Sequence, residues 1–305
     1  VCDAPVVDSI ADAMLLRRLA LGRSAAARAA STLVGATAKP SAIAPRKVLL
    51  HSCCAPCSGA MVEELVDGGH DVTIFFYNPN IHPREEYEIR KEENKRYAEQ
   101  MGTPFVDADY DTDEWFRRAR GMEFDPERGS RCTMCFDMRM ERTALYAFEH
   151  GFDCFTTTNA TSRWKDQPQV NGSGLRAAAK YDFSPFYWKY DWQTDTMTER
   201  KYRINAEQRF YKQEYCGCSY SLRDSNIWRK QNGIPPVRIG GDTAGLGSRY
   251  FEDAEADARE ESAEVVDAFF SSAERHFDSA HVYKGRKRQA DRAGKDDDGE
   301  TANNW

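Results

Sequence analysis

The sequence predicts an α/β fold built on a parallel sheet, and three observations point there. Short apolar, β-branched or aromatic runs at 48–51, 72–77, 105–108 and 152–157 alternate with segments of helical periodicity. That alternation is how a parallel sheet is covered by helices on its faces. The helical segments stop at glycine, at Gly68-Gly69 and at Gly102, as helix ends commonly do. The first and fourth runs lead into Cys-, Ser- and Thr-rich loops, and in such sheets the site lies outside the carboxyl ends of the strands.

The elements follow in order. Order begins near Lys47, and 48–51 reads as a buried strand entering a Cys/Pro/Ser/Gly turn. Residues 59–67 carry Met61, Leu65 and Val66 at helical spacing. The second strand, 72–77, is broken by Asn78-Pro79-Asn80, and a long charged helix spans 85–101 with Tyr87, Arg90, Lys91 and Tyr97 in it. A third strand is expected at 105–108, helices at 113–120 and 134–150, and a fourth strand at 152–157 followed by a long polar loop. A basic helix is expected at 199–212. After Pro235-Pro236 the composition shifts, with an amphipathic helix expected at 252–276 (Val265, Val266, Phe269, Phe270) and a charged, disordered tail at 284–305.

Charge divides the chain the same way. The net −7 of the 305 residues resolves into +2 over 1–45 (5 basic, 3 acidic), −3 over 46–236 (27 and 30) and −6 over 237–305 (10 and 16). This suggests an N-terminal extension at 1–45, one catalytic domain at 46–236 and an acidic C-terminal extension at 237–305. From Met14 to Lys47 there is no acidic residue, while Arg17, Arg18, Arg23 and Arg28 alternate with Ala, Ser and Leu. Two readings of that stretch stand, an organelle transit peptide or a disordered Ala/Arg-rich extension. They correspond to a mitochondrial or plastid protein and to a cytoplasmic one. No apolar run approaches the ~18 residues of a membrane span, so no membrane partner is expected.

Nine cysteines are present, seven of them in three tight groups. Long Cys-free stretches separate the groups, which favours a reducing compartment with metal or redox chemistry over a secreted disulfide scaffold. Ser52-Cys53-Cys54-Ala55-Pro56-Cys57-Ser58 and Arg131-Cys132-Thr133-Met134-Cys135 together hold enough thiols for a four-thiolate shell, around zinc or an iron–sulfur cluster. Adjacent cysteines at a strand end depart from the zinc-ribbon pattern, so iron–sulfur is preferred. Tyr215-Cys216-Gly217-Cys218 could close a small, easily reduced disulfide ring, with Gly217 permitting the backbone it needs. Further metal ligation, or two unrelated thiols, are the competing readings. Cys154 lies inside an apolar strand and reads as core.

The polar loop at 156–166 includes Arg163, Trp164, Lys165 and Asp166, residue types that suit phosphate or sugar contacts. Residues 160–230 hold 13 Lys/Arg against 8 Asp/Glu, a local +5, with Arg200, Lys201, Arg203, Arg209 and Lys212 interleaved with Tyr202, Phe210 and Tyr211. Basic groups neutralise phosphates and aromatics stack on unpaired bases. An ordinary helix face beside a core aromatic cluster explains the same composition.

Five motifs in order make the pattern specific. His51-Ser52-Cys53-Cys54-Ala55-Pro56-Cys57, then Phe76-Tyr77-Asn78-Pro79-Asn80-Ile81-His82-Pro83 with Glu85-Glu86-Tyr87, then Arg131-Cys132-Thr133-Met134-Cys135-Phe136 with Arg139, then Ala160-Thr161-Ser162-Arg163-Trp164-Lys165, then Phe210 to Cys218 resemble the motifs of QueH-type epoxyqueuosine reductases over about 46–236. The resemblance implies reduction of the epoxide of epoxyqueuosine at the tRNA wobble position. It implies a Rossmann-like, adenine nucleotide alpha hydrolase-like three-layer core with a helical C-terminal part. It implies Cys53, Cys54, Cys132 and Cys135 as ligands of a [4Fe-4S] cluster and Cys216 and Cys218 as the redox disulfide. Cys57 stands where a further iron could be held. The implied partners are tRNA carrying epoxyqueuosine and an external electron donor. Arg163, Lys165 and Asp166 are the candidate substrate-binding residues, and His51, His82 and Asp166 the candidate proton donors.

Two other functions fit parts of the pattern. An ATP-dependent tRNA sulfur-transfer enzyme would need glycine amides to cradle pyrophosphate after the first strand, where this chain has Ser52-Cys53-Cys54-Ala55-Pro56-Cys57. A non-catalytic zinc-binding RNA module is the other, and metal analysis separates it from an iron protein.

Overall fold

The computed structural model describes residues 37–241 and Tyr250. Most of the basic N-terminal stretch, Cys2, the helix expected at 252–276 and the tail at 284–305 lie outside the described residues. Five strands, β1 (Lys47–His51), β2 (Asp71–Phe76), β3 (Phe105–Asp107), β4 (Cys154–Thr157) and β5 (Phe186–Tyr187), form one sheet in the order β3-β2-β1-β4-β5. All four pairings are parallel. Strand order reverses at β1, which pairs with β2 on one side and β4 on the other. The loops leaving β1 and β4 therefore diverge around a crevice, the position where parallel sheets bind ligands.

Among the described residues five α-helices connect the strands, α1 (Ala55–Asp67), α2 (Arg84–Gln100), α3 (Thr112–Ala119), α4 (Ser130–Glu149) and α5 (Gln167–Ala179), and two more follow β5, α6 (Asp195–Gln208) and α7 (Ser219–Gln231). Alternate strand residues feed two cores. Val48, Leu50, Val72 and Ile74 pack with Met61, Leu65, Tyr97 and Ile204 on one face, and Leu49, Phe75 and Phe155 pack with Trp115, Met138, Ala144 and Ala177 on the other. This is the expected three-layer arrangement. Cys154 is fully buried in the first core. No helix among the described residues is long and apolar enough to cross a membrane.

Several elements differ from the sequence expectations. α1 begins at Ala55 rather than 59, because Cys54 takes the extended N-cap conformation and Pro56 sits in the first turn, where a missing N–H costs nothing. α4 begins at Ser130, so Cys132 and Cys135 both lie in its opening turns. Val66, expected to be core, is 39% exposed, whereas Met61 and Leu65 are fully buried. α6 is shifted toward the N-terminus by about one turn. Thr194 accepts from the Met197 amide at one end, and Arg209, at φ 47°, breaks the helix at the other.

The polar loop after β4 contains more structure than its composition suggests. It makes a 3-10 turn at Thr158–Thr161 and then enters α5, where the Asp166 carboxylate caps the helix by accepting from Gln169 N at 2.8 Å. α5 packs closely on β5. A Cβ added at Gly174 would lie 2.3 Å from the Tyr187 ring, which is 1% exposed and tied through its hydroxyl to Asn171 Oδ1. Gly174→Ala is therefore expected to cost about 1–3 kcal/mol, the usual range for overpacking. Urea unfolding reads that cost, and an unchanged midpoint would contradict the contact.

Candidate active site

The crevice at the β1–β4 switch point is lined by thiols. β1 ends at His51, and the next turn is held from both sides. Ser52 N donates to Phe75 O, Asn78 Nδ2 donates to Ser52 O at 2.8 Å, and Cys53 N donates to Thr158 Oγ1 at 3.2 Å. The Cys53 and Cys54 sulfurs are 3.8 Å apart, and Gln213 Nε2 donates to Cys54 Sγ at 3.2 Å. Cys57 lies in the first turn of α1, where Cys54 and Thr161 hold its thiol below its ordinary value.

The second pair is positioned by loop–helix contacts. Gln169 Nε2 donates to Arg128 O, Gly129 O and Thr133 Oγ1, which ties the start of α5 to the start of α4. Arg128 N donates to Cys132 Sγ at 3.2 Å. Arg131, 2% exposed, donates to Met122 O and Glu123 O and lies over the Tyr220 ring.

The third pair sits on a loop fastened to α2. Arg90 donates through Nη1 to Cys216 O and through Nη2 to Tyr215 O, both at 3.1 Å, and His82 N donates to Gly217 O at 2.7 Å. Gly217 has φ 110°, and a Cβ there would meet Arg90 Nη1 and Ile81 Cγ1 at 3.0 Å. Only glycine accepts both that backbone and that approach. Cys218 stands at the N-cap position of α7, and both thiols are free in this structure.

Three cations connect the groups. Lys165 acts electrostatically on Cys216 and on Cys132. Arg139 donates to Cys135 O and Asn78 Oδ1, and its charge reaches Cys53 and His51. Arg90 carries the Cys216 loop and acts on Cys54. Cys132 and Cys218 each feel both Cys216 and Cys135.

Electrostatics separates the thiols. Burial pushes the Cys216 thiol up, but the Lys165 ammonium and the Cys218 amide more than offset this and hold it below its ordinary value. Burial and the neighbouring Cys216 push Cys218 well up. Cys132 is pushed up to about 11, chiefly by burial. Cys53 is raised by its hydrogen bond to Cys54 and by burial. Cys54, although its bond from Cys53 works the other way, is pushed up to about 12 by Cys57 and burial. Buried thiols of this kind ionise when a metal supplies the compensating charge. Among the described residues no three His, Cys, Asp or Glu side chains form a group ready to hold a metal ion. A cluster spreads its thiolates over several irons, so a donor set grouped in pairs and surrounded by three cations fits it.

The expected substrate-binding residues separate. Arg163 is exposed, with its guanidinium 4.9 Å from the ring of Trp164, itself 68% exposed. Lys165 is engaged with thiols, and Asp166 caps α5. Of the candidate proton donors, His51 is fully buried between Thr157 Oγ1 and Tyr77 O, and burial lowers it to about 3. His82, in the aromatic cluster of Tyr110, Trp115 and Phe116, is lowered to about 4 by burial. Both are neutral near pH 7.

Sequence reasoning missed the roles of Glu86, Arg90 and Asn94. Asn94 Oδ1 accepts from Ser52 and Ser58, its amide donates to Arg90 O, and Arg90 pairs with Glu86 at 2.6 Å. One helix face thus joins the first cysteine turn to the third. The only trace in the sequence is the i, i+4 spacing of Glu86, Arg90 and Asn94. The basic helix is also less available than expected. Arg200 pairs with Glu63, Glu64 and Asp67, and Arg203 with Glu63 and Glu207.

Comparison with known proteins bears on these residues. The family profile described as "Epoxyqueuosine reductase QueH" matches residues 48–224. A protein of Haemophilus influenzae named epoxyqueuosine reductase QueH is 58% identical over 194 residues, covering 64% of this chain and 79% of the relative. One of Acinetobacter baylyi with the same name is 56% identical over 194 residues, covering 64% and 88%. Among solved structures, the U34-tRNA thiolase NcsA of Methanococcus maripaludis with its [4Fe-4S] cluster aligns with a TM-score of 0.39 at 10% identity. It covers 69% of this chain and 75% of that one, and the likeness is too distant to carry weight.

Proposed function

Because the chain belongs to the QueH family of epoxyqueuosine reductases, we propose that this oxidoreductase converts epoxyqueuosine in tRNA to queuosine, with Cys216 and Cys218 as its redox pair. Cys53, Cys54, Cys132 and Cys135 are the proposed ligands of a [4Fe-4S] cluster, and Cys57 is a proposed contact for an additional iron. The observation that supports this reading is Lys165, whose charge acts on both Cys216 and Cys132 and so links the proposed redox pair to the proposed cluster ligands.

The balance of the reaction constrains the roles. Loss of the epoxide oxygen as water, leaving an alkene, consumes two electrons and two protons. Oxidation of the Cys216–Cys218 dithiol to a disulfide releases two of each, and an external donor then restores the dithiol. Cys216, held as the readier thiolate by Lys165, is the more reactive member. Lys165, kept protonated by its thiol neighbours and Glu127, holds a proton where it can be passed to a departing oxygen. When bound, a [4Fe-4S] cluster supplies one-electron transfer and Lewis acidity. Arg163 is proposed to meet the RNA backbone, and Asp166 to act through the helix that it caps.

The test is direct. Protein purified without oxygen is expected to be brown, with iron and sulfide. With a strong reductant and tRNA carrying epoxyqueuosine, it is expected to lower the nucleoside mass by one oxygen. Cys132→Ser is expected to reduce the iron content and to abolish the mass change. A colourless zinc protein that leaves the nucleoside mass unchanged would replace this reading with the zinc-binding RNA module.

A further inference from the structure

Beside the first turns of α1 lies a cavity of about 210 Å³, of whose lining the reading above uses only Arg163. Its lining includes Thr161, Arg163, Trp192, Thr198, Lys201 and Tyr202, and none of its lining residues is acidic. Thr198, Lys201 and Tyr202 come from the first two turns of α6, three and four residues apart and so on one side of the helix. The amino end of that helix adds partial positive charge to the same place.

Three features describe what the cavity would take. Trp192 is 2% exposed and packed against Trp188 and Tyr190, yet its indole N–H has no hydrogen-bond partner. A buried donor left unpaired is costly, so an incoming acceptor would be favoured. Tyr202 is 61% exposed, a flat face free for stacking. Lys201 makes no ion pair with a carboxylate among the described residues, although its charge also reaches Cys57, whereas Arg200 and Arg203, its neighbours on α6, are engaged by carboxylates. Arg163 adds a second cation at the rim. An acceptor-bearing flat ring joined to an anion is a nucleotide.

We propose that this cavity binds a single nucleotide of the substrate RNA, adjacent in the chain to the nucleotide that reacts. Its base stacks on Tyr202 and accepts from Trp192 Nε1, and its phosphate lies between Lys201 and Arg163. The cavity is offset from the redox thiols, because its lining includes neither Cys216, Cys218 nor Lys165. The reacting nucleoside must reach those groups, so the cavity serves a neighbour. Arg163 and Lys165 flank the exposed Trp164, and an RNA strand crossing Trp164 would join the two places. The identity of the RNA rests on the reductase reading, whereas the nucleotide chemistry of the cavity does not.

Binding of a fluorescent anticodon stem–loop with unmodified guanine at the wobble position tests this without the epoxide. With the full chain, Lys201→Gln is expected to weaken binding roughly tenfold and to lower the salt slope by about one. Tyr202→Ala is expected to weaken it roughly tenfold through lost stacking. Trp192→Phe keeps an aromatic ring, smaller than the indole, and removes the donor, and is expected to weaken binding several-fold with the thermal midpoint as a check on packing. Wild-type affinity and salt slope in Lys201→Gln and Tyr202→Ala would overturn the proposal. Failure of the stem–loop to bind, with AMP quenching tryptophan fluorescence in a Lys201-dependent way, would assign the cavity to a free nucleotide and overturn the RNA assignment. A chain that binds the stem–loop with these sensitivities yet leaves epoxyqueuosine unchanged supports the cavity and removes the reductase reading alone.

Discussion

Cys216→Ser is expected to fold normally and to lose multiple-turnover reduction by at least about 10³-fold, the scale on which removing a reacting group falls. The side chain is nearly isosteric, and the loop is held by backbone bonds, from Arg90 to Cys216 O and from His82 N to Gly217 O, which serine retains. What disappears is the thiolate. Cys216 is held below its ordinary value against the pull of burial by Lys165, and a serine hydroxyl neither ionises there nor forms a disulfide. Cys218→Ser should fail as fully, because the partner sulfur is missing. Two measurements check this together. One follows nucleoside mass against time with tRNA in excess, and the other counts free thiols before and after oxidation. The wild type should lose two thiols on oxidation and regain both with a dithiol reductant. Sustained turnover in Cys216→Ser would remove the dithiol from the mechanism.

Arg90→Met is expected to cost about 3–5 kcal/mol of stability, the range for breaking a buried ion pair from one side. Arg90 is 1% exposed and Glu86 fully buried, and the two are 2.6 Å apart. Methionine fills much of the same volume but leaves the Glu86 carboxylate, among the described residues, with the Tyr211 hydroxyl as its remaining side-chain partner, at 2.6 Å. It also removes the donors to Tyr215 O and Cys216 O, so the redox loop should loosen while the rest of the sheet persists. Urea unfolding measures the first effect, and accelerated amide exchange at 215–218 the second. Glu86→Gln combined with Arg90→Met should recover part of the stability, because the uncompensated charge is gone, without restoring the loop. A loss below about 1 kcal/mol would show that water reaches the pair.

Both outcomes bear on how far the sequence could be read. The first four strands were legible because each is a short apolar run bounded by turn residues. The fifth, Phe186–Tyr187, is only two residues long and sits in an aromatic stretch whose composition resembles core or surface alike. α5 was hidden by its polar start, since Asp166 and Pro168 read as loop residues until the cap geometry turns them into a helix entry. α1 and α4 begin about one turn before their apolar periodicity does, because Cys, Pro, Ser and Gly have low helix propensity, while the N-cap and first turn tolerate them.

The sequence by itself determined the parallel α/β core, the three cysteine groups and the resemblance that points to an epoxyqueuosine reductase, because apolar periodicity and residue spacing are properties of the chain alone. Only the tertiary structure decided that the charged helix α2 turns Glu86, Arg90, Glu93 and Asn94 inward, that Lys165 is committed to thiols rather than standing free, and that Lys201 differs from the arginines around it. Those outcomes depend on which groups from distant segments meet out of water. A charged residue is buried only when a partner far along the chain compensates it, and no local pattern records where that partner lies.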